Sequence, residues 1–247
     1  MQGVLKNLGR CLLVGVLLVP ILANAAVQIT GTRIIYPAAE REVVVRLTNA
    51  SDRPALVQAW LDSGDASVQP GVEQLPFVVL PPLVRVEARK GQALRIAHVG
   101  GELAQDRESV FWLNVLDVPP KADTSAGQNV VQLAFRTRLK LFYRPEGLPG
   151  NPTASVEDLH WSVVPNGKGF ALRVRNDSAY HVSFNEIGLK AGSKTYNVDA
   201  GGMVAPRSSE DFLLVGLNAP PSAGEVEAKW LDDFGASREQ RYTLQPK

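Results

Sequence analysis

Glycine and proline interrupt this chain along its whole length: 21 glycines and 17 prolines are spread through 247 residues. Proline removes a backbone donor and glycine frees the backbone, so punctuation this dense disfavours long helices and favours many short strands joined by turns. An all-β fold is expected. Between the interruptions the chain alternates apolar and polar residues, which predicts strands over residues 27–36, 42–49, 56–61, 77–80, 93–98, 111–115 and 130–143. The stretch from Arg144 to Pro152 then carries three prolines and two glycines and reads as a linker at 146–152. Beyond it the pattern resumes, with strands expected at 159–164, 170–176, 182–189, 194–198, 211–215, 226–230 and 241–244 and a turn at 166–169. Two β-sandwiches of immunoglobulin type, over 26–145 and 153–247, fit this spacing.

The first 25 residues stand apart. Lys6 and Arg10 precede or flank an apolar run over 11–22, and Ala23-Asn24-Ala25 supplies the small residues a signal peptidase accepts. Export with cleavage after Ala25 is expected, so that the mature chain starts at Ala26; the run is shorter than the ~20 apolar residues that span a bilayer. Cys11 is the only cysteine and leaves with the leader, so the exported protein has neither a disulfide nor a thiol site. His98, His160 and His181 are isolated from one another, and no metal, nucleophile–base or phosphate-loop spacing occurs. Neither an enzyme, nor a metal, nor a cofactor is expected. With 26 basic and 25 acidic residues and no basic block, nucleic acid is not an expected partner either, and nothing calls for a small-molecule substrate.

The segment LAQDRESVFWLNVLDVPP at 103–120 closely resembles the signature of the periplasmic pilus-assembly chaperones of the chaperone–usher pathway. AVQITGTRIIYP at 26–37, LVQAW at 56–60 and KLFYRP at 140–145 agree with that family in the same order, and RVRN at 173–176 and WLDDFG at 230–235 extend the likeness more weakly into the second half. The resemblance implies a boomerang of two immunoglobulin-like domains in the periplasm. Such a protein holds fimbrial subunits, each lacking its last strand, by lending a strand of its own, and passes them to an outer-membrane usher. Strand addition of this kind is already the known mode for chaperones of this type.

Particular residues can be set against that expectation. Val131, Leu133 and Phe135 alternate with Gln132, Ala134 and Arg136, which puts three apolar side chains on one face at spacings of roughly 7 Å. Such a face either packs into the home core or, as the resemblance implies, is the donated strand. Leu139 and Leu141 continue its parity toward the home core, while Arg136 and Arg138 on the other face read as edge charges that discourage stray pairing. The resemblance further implies that Arg33 and Lys140 grip the subunit's terminal carboxylate, and that Glu108, Arg144 and Asp233 form an ionic cluster at the domain join. Two carboxylates around one guanidinium suit orientation better than stability. Trp60, Trp112, Trp161 and Trp230 are expected mostly as core anchors. The connection from Pro120 to Val130, short and without a bracketing cysteine pair, is similar to the short-loop branch that serves rod-type fimbriae. The rival reading is a secreted structural or adhesive protein such as a pilus subunit.

Overall fold

The computed structural model describes residues 27–121, 131–167 and 169–244. The leader at 1–25, the expected mature start at Ala26, residues 122–130 of the connection before the candidate donor strand, and Lys168 of the expected turn lie outside the described residues.

The first sandwich is built from nine strands: β1 (Val27–Ile29), β2 (Arg33–Pro37), β3 (Glu42–Asn49), β4 (Ala55–Asp62), β5 (Phe77–Leu80), β6 (Leu83–Val86), β7 (Gly91–His98), β8 (Ser109–Val118) and β9 (Phe135–Arg144). They form a four-stranded sheet in the order β1-β3-β7-β5 and a five-stranded sheet in the order β2-β9-β8-β4-β6. The single strand expected over 27–36 is in fact two. Gly31 adopts φ 88°, a left-handed conformation that glycine reaches without a Cβ penalty. The bend sends β1 to pair with β3 in one sheet and β2 to pair with β9 in the other. The strand expected over 130–143 also needs correction, because pairing begins only at Phe135 and residues 131–134 belong to no strand.

The second sandwich follows a short helix, α1 (Pro152–Glu157), which was not expected; the Asn151 side chain caps it by accepting the Ala154 N–H at 2.9 Å, and proline takes its first position. Eight strands complete it: β10 (His160–Asn166), β11 (Gly169–Asn176), β12 (Val182–Ala191), β13 (Lys194–Asn197), β14 (Gly202–Val204), β15 (Ser208–Leu214), β16 (Glu225–Leu231) and β17 (Ser237–Thr243). One sheet runs β10-β11-β15 and the other β13-β12-β16-β17, with β14 beside β12. Neither β6 nor β14 was anticipated, and β17 starts four residues before the expected Arg241.

Each sandwich has its own core. In the first, Tyr36, Phe77, Phe111 and Tyr143 meet between the sheets, with ring centroids 5.0 Å apart for Phe77–Phe111 and 5.3 Å for Tyr36–Phe77. In the second, Trp161 packs on Phe184 at 5.5 Å and on Tyr242 at 5.6 Å. The same buried device pins a turn in both halves: Asn49 donates through Nδ2 to the carbonyls of Arg53, Val86 and Glu87 and Asn176 to those of Tyr180 and Ala205, and each accepts the backbone N–H of the serine two residues on. Satisfying every group of a buried amide makes the turn geometry hard to change.

Leu139 and Leu141 of β9 point into the first core and are fully enclosed, as their parity predicted. Leu141→Ala is therefore expected to destabilise the free protein by about 2–5 kcal/mol through lost burial and a residual cavity. Urea unfolding would check the figure.

Candidate functional site

The parallel pairing of β2 with β9 puts Arg33 directly beside Lys140, 107 positions later in sequence. Residues paired in register share a face, so both cations project from the outer side of the five-stranded sheet toward the second sandwich. Lys140 Nζ donates to Ser183 Oγ at 3.2 Å, and Arg33 Nη1 donates to the Leu231 carbonyl at 2.9 Å. Aromatic faces support them: the Arg33 guanidinium lies 5.7 Å from the Phe142 ring centre and the Lys140 ammonium 5.5 Å from that of Trp112.

Both cations are half-buried. Burial first, and then the neighbouring Arg33 charge, push the Lys140 pKa down to about 8. Arg33 is also lowered by burial, against the opposing pull of Asp233, Asp232 and Glu108, and its Nε is enclosed without a hydrogen-bond partner. Two adjacent, partly desolvated cations have the chemistry to receive an anion. A carboxylate placed between them would be met by the fork of an arginine and the compact charge of a lysine.

Leading away from this pair, residues 131–135 carry the apolar face. Val131 is 84% exposed, Leu133 62% and Phe135 48%, whereas Leu139 and Leu141 on the same parity are buried. One chain segment thus serves the home core at one end and offers unsatisfied apolar surface at the other. Between Phe135 and Leu139, β9 pairs with β8 on one side, while its pairing with β2 begins only at Lys140. Among the described residues its other edge is therefore open over 135–139. An open edge bearing an apolar stripe is a template for adding a strand from another chain.

Arg136 and Arg138, expected as simple edge charges, are more constrained than that. The Arg138 guanidinium pairs with the fully buried Asp62 carboxylate and lies 4.4 Å from the Trp112 ring centre; Arg136 donates through Nε to Asn114 Oδ1 at 2.8 Å and lies 4.8 Å from that of Trp60. Asp62 also accepts from Asn114 Nδ2 at 2.6 Å, and the Arg138 and Asn114 bonds help hold its pKa below the usual carboxylate range despite burial. Trp161 and Trp230 are core anchors as expected, but two tryptophans are not: Trp60, though buried, lies outside the core beneath Arg136, and half-buried Trp112 floors Arg138 and Lys140.

The three residues expected at the domain join do meet. Arg144 donates through Nε to Glu108 Oε1 at 2.7 Å and through its two terminal nitrogens to the Asp233 oxygens at 2.8 and 3.0 Å. Burial opposes the Arg144 charge, but the bonds to Asp233 and Glu108 outweigh it and raise the pKa. Sequence reasoning missed two further parts. His181, isolated in sequence, has a buried side chain, with its backbone N–H 2.8 Å and its Nδ1 3.2 Å from Glu108 Oε2. Asp106 pairs with Arg207 across the same join, and the Glu108 N–H donates to the Ala179 carbonyl at 2.9 Å. On the second sandwich, Asp232 ties down the loop after β16 by accepting the N–H groups of Phe234 and Ala236 at 3.0 and 2.9 Å. Gly235 in that loop abuts Thr32, where any side chain would collide with the threonine hydroxyl. Ion pairs and hydrogen bonds thus join the two sandwiches, and the Arg33–Lys140 pair lies where they meet.

Two family models cover the chain. The pili and flagellar-assembly chaperone PapD N-terminal domain matches residues 26–149, and the pili assembly chaperone PapD C-terminal domain matches residues 154–242. A probable fimbrial chaperone of Escherichia coli K12, YadV, is 44% identical over 218 residues, covering 87% of this chain and 88% of the relative. The chaperone protein FimB/FhaD of Bordetella pertussis is 46% identical over 221 residues, covering 86% of each chain. Among solved structures, that of the YadV chaperone superposes with a TM-score of 0.77 at 41% identity, covering 89% of this chain and all of the other. A Salmonella enterica complex of the SafA pilin with the SafB chaperone matches with a TM-score of 0.72 at 29% identity, covering 90% of this chain and 97% of the other.

Proposed function

The chain belongs to the pilus-assembly chaperone family, and on that premise we propose that it captures fimbrial subunits in the periplasm by lending them residues 131–135 as a strand and delivers them to an outer-membrane usher. Family membership sets aside the rival reading of the chain as itself a pilus subunit. The observation that carries the proposal is the stripe of Val131, Leu133 and Phe135, left exposed beside an open strand edge while the rest of β9 is bound into its own sheet.

In this reading Arg33 and Lys140 receive the C-terminal carboxylate of the subunit and so fix where the strand pairing starts; a one-residue slip would turn every apolar side chain of the donated strand away from the groove. Glu108, Arg144 and Asp233 hold the two domains, 26–145 and 153–247 joined by 146–152, at the angle that shapes the cleft. In this reading the work of the site is binding, which calls for no catalytic step, cofactor or metal. The short connection from Pro120 to Val130 supports reading the chain as one that serves rod-type fimbriae.

Purification from the periplasm tests this directly. The chain is expected to begin at Ala26 by N-terminal mapping, and to copurify with fimbrial subunits in discrete complexes of one chaperone with one subunit. A protein that stays in the cytoplasm, or that comes out of an expressing, fimbriated cell without any subunit, would contradict the reading.

A further inference from the structure

Asp117 on β8 is a buried carboxylate with half of its bonding capacity unused. Its Oδ2 accepts the backbone N–H of Val27 at 3.1 Å, while Oδ1 is enclosed with no hydrogen-bond partner. The other two buried carboxylates among the described residues each hold an arginine: Asp62 pairs with Arg138 and Glu108 with Arg144. No cation among the described residues does this for Asp117. Its burial accordingly raises its pKa, opposed only by the Val27 hydrogen bond. An enclosed carboxylate without a counter-charge is unfavourable enough that a partner is to be sought.

The sequence supplies one at a fixed distance. Val27 is the second residue of the chain that results if the leader is removed after Ala25. Hydrolysis of the Ala25–Ala26 amide consumes one water and leaves a carboxylate on Ala25 and an ammonium on Ala26. The nitrogen that gains this charge is joined to the Val27 nitrogen through only two carbons, so covalent geometry keeps it within about 4 Å of an atom already bonded to Asp117. In the uncleaved chain the same nitrogen is a neutral amide.

We propose that Asp117 is the receptor for the α-ammonium released at Ala26, so that removal of the leader adds an ion pair between the first strand of one sheet and β8 of the opposite sheet. β1 is only three residues long and pairs with β3 alone, which makes it the strand that most needs a second tether. The first sandwich thereby reaches its full stability only after processing, and an unprocessed chain remains easier to unfold. The inference rests on cleavage after Ala25 and is independent of strand donation.

A four-protein comparison tests it. Processed protein, its N-terminus verified by mass spectrometry, is set against the same chain carrying a Gly-Ser-Gly-Ser extension before Ala26, each with and without Asp117→Asn, whose amide oxygen can still accept the Val27 N–H. The extension is expected to lower the thermal midpoint by several degrees when Asp117 is present and hardly at all in the D117N background. Equal midpoints for processed and extended protein, equal losses in both backgrounds, or a processed N-terminus other than Ala26 would each overturn the proposal. Should the D117N protein fail to fold, the α-amine still reports: it should react with acetic anhydride more slowly in the processed protein than in the extended one, and equal rates would count against the pair. Subunit capture by the extended protein, measured in parallel, should persist.

Discussion

Leu133→Glu is expected to abolish subunit capture while leaving the free protein as stable as before. The side chain is 62% exposed and lies outside any strand, so the substitution removes little burial and should change stability by no more than about 0.5 kcal/mol. In the complex the same position would face the apolar interior of a subunit that lacks a strand. A glutamate there must be desolvated without a partner or stay protonated at a cost. An effect of about 4 kcal/mol or more follows, roughly a thousandfold in affinity. Thermal unfolding of the purified variant beside its recovery of subunits separates the possibilities. A variant that melts early would return Leu133 to the home core. One that is stable and still loaded with subunits would take this face out of the site.

The contrast between Leu133 and Leu141 also marks what the sequence could and could not reveal. Alternation along 131–141 makes one apolar face legible, but the same pattern serves a strand buried at home and a strand offered to a partner. Only the loss of pairing before Phe135 tells them apart, and pairing is a property of the neighbouring chain segments. Strands such as β3 and β11 were readable because each is bounded by turn residues and alternates cleanly. By contrast β6 follows Pro81 and Pro82, residues that argue against a strand, and survives because it pairs with β4 alone at the sheet edge. The switch of the first segment between sheets hinges on the left-handed conformation of Gly31, which no periodicity records.

The cleft shows the same division. Arg33 and Lys140 could be paired only by resemblance, since parallel pairing between segments 107 positions apart leaves no local trace. Asp62 could not be anticipated at all: in sequence it is an acidic residue at the end of a strand, and its role as the buried counter-charge for Arg138 depends on β4 and β9 flanking β8. Glu108 and His181 converge because the two sandwiches meet, so their contact belongs to the domain join and not to either segment.

Removing both cleft cations, Arg33→Ala with Lys140→Ala, is expected to weaken subunit capture by at least about 100-fold, because a carboxylate desolvated in the complex would lose two charge-assisted hydrogen bonds. The free protein should not lose comparable stability. Both groups are half-buried and both pKa values are lowered by burial, so at neutral pH their charges are held against a desolvation cost that alanine would relieve. Lys140 adds a pH signature with a definite sign. Its folded value of about 8 lies below the ordinary lysine value, so the unfolded chain binds more protons between the two; the contribution of this group to stability is therefore greatest above the unfolded value and is lost as pH falls through about 8. Capture should run the other way. It needs the ammonium, and should weaken as pH rises above 8 while the fold itself gains from Lys140. Subunit binding measured from pH 7 to 9.5, alongside thermal unfolding of the free protein, would show the two trends diverging. Lys140→Arg, whose guanidinium stays charged throughout, should flatten the binding curve; an undiminished alkaline decline in that variant would mean that another group sets the dependence.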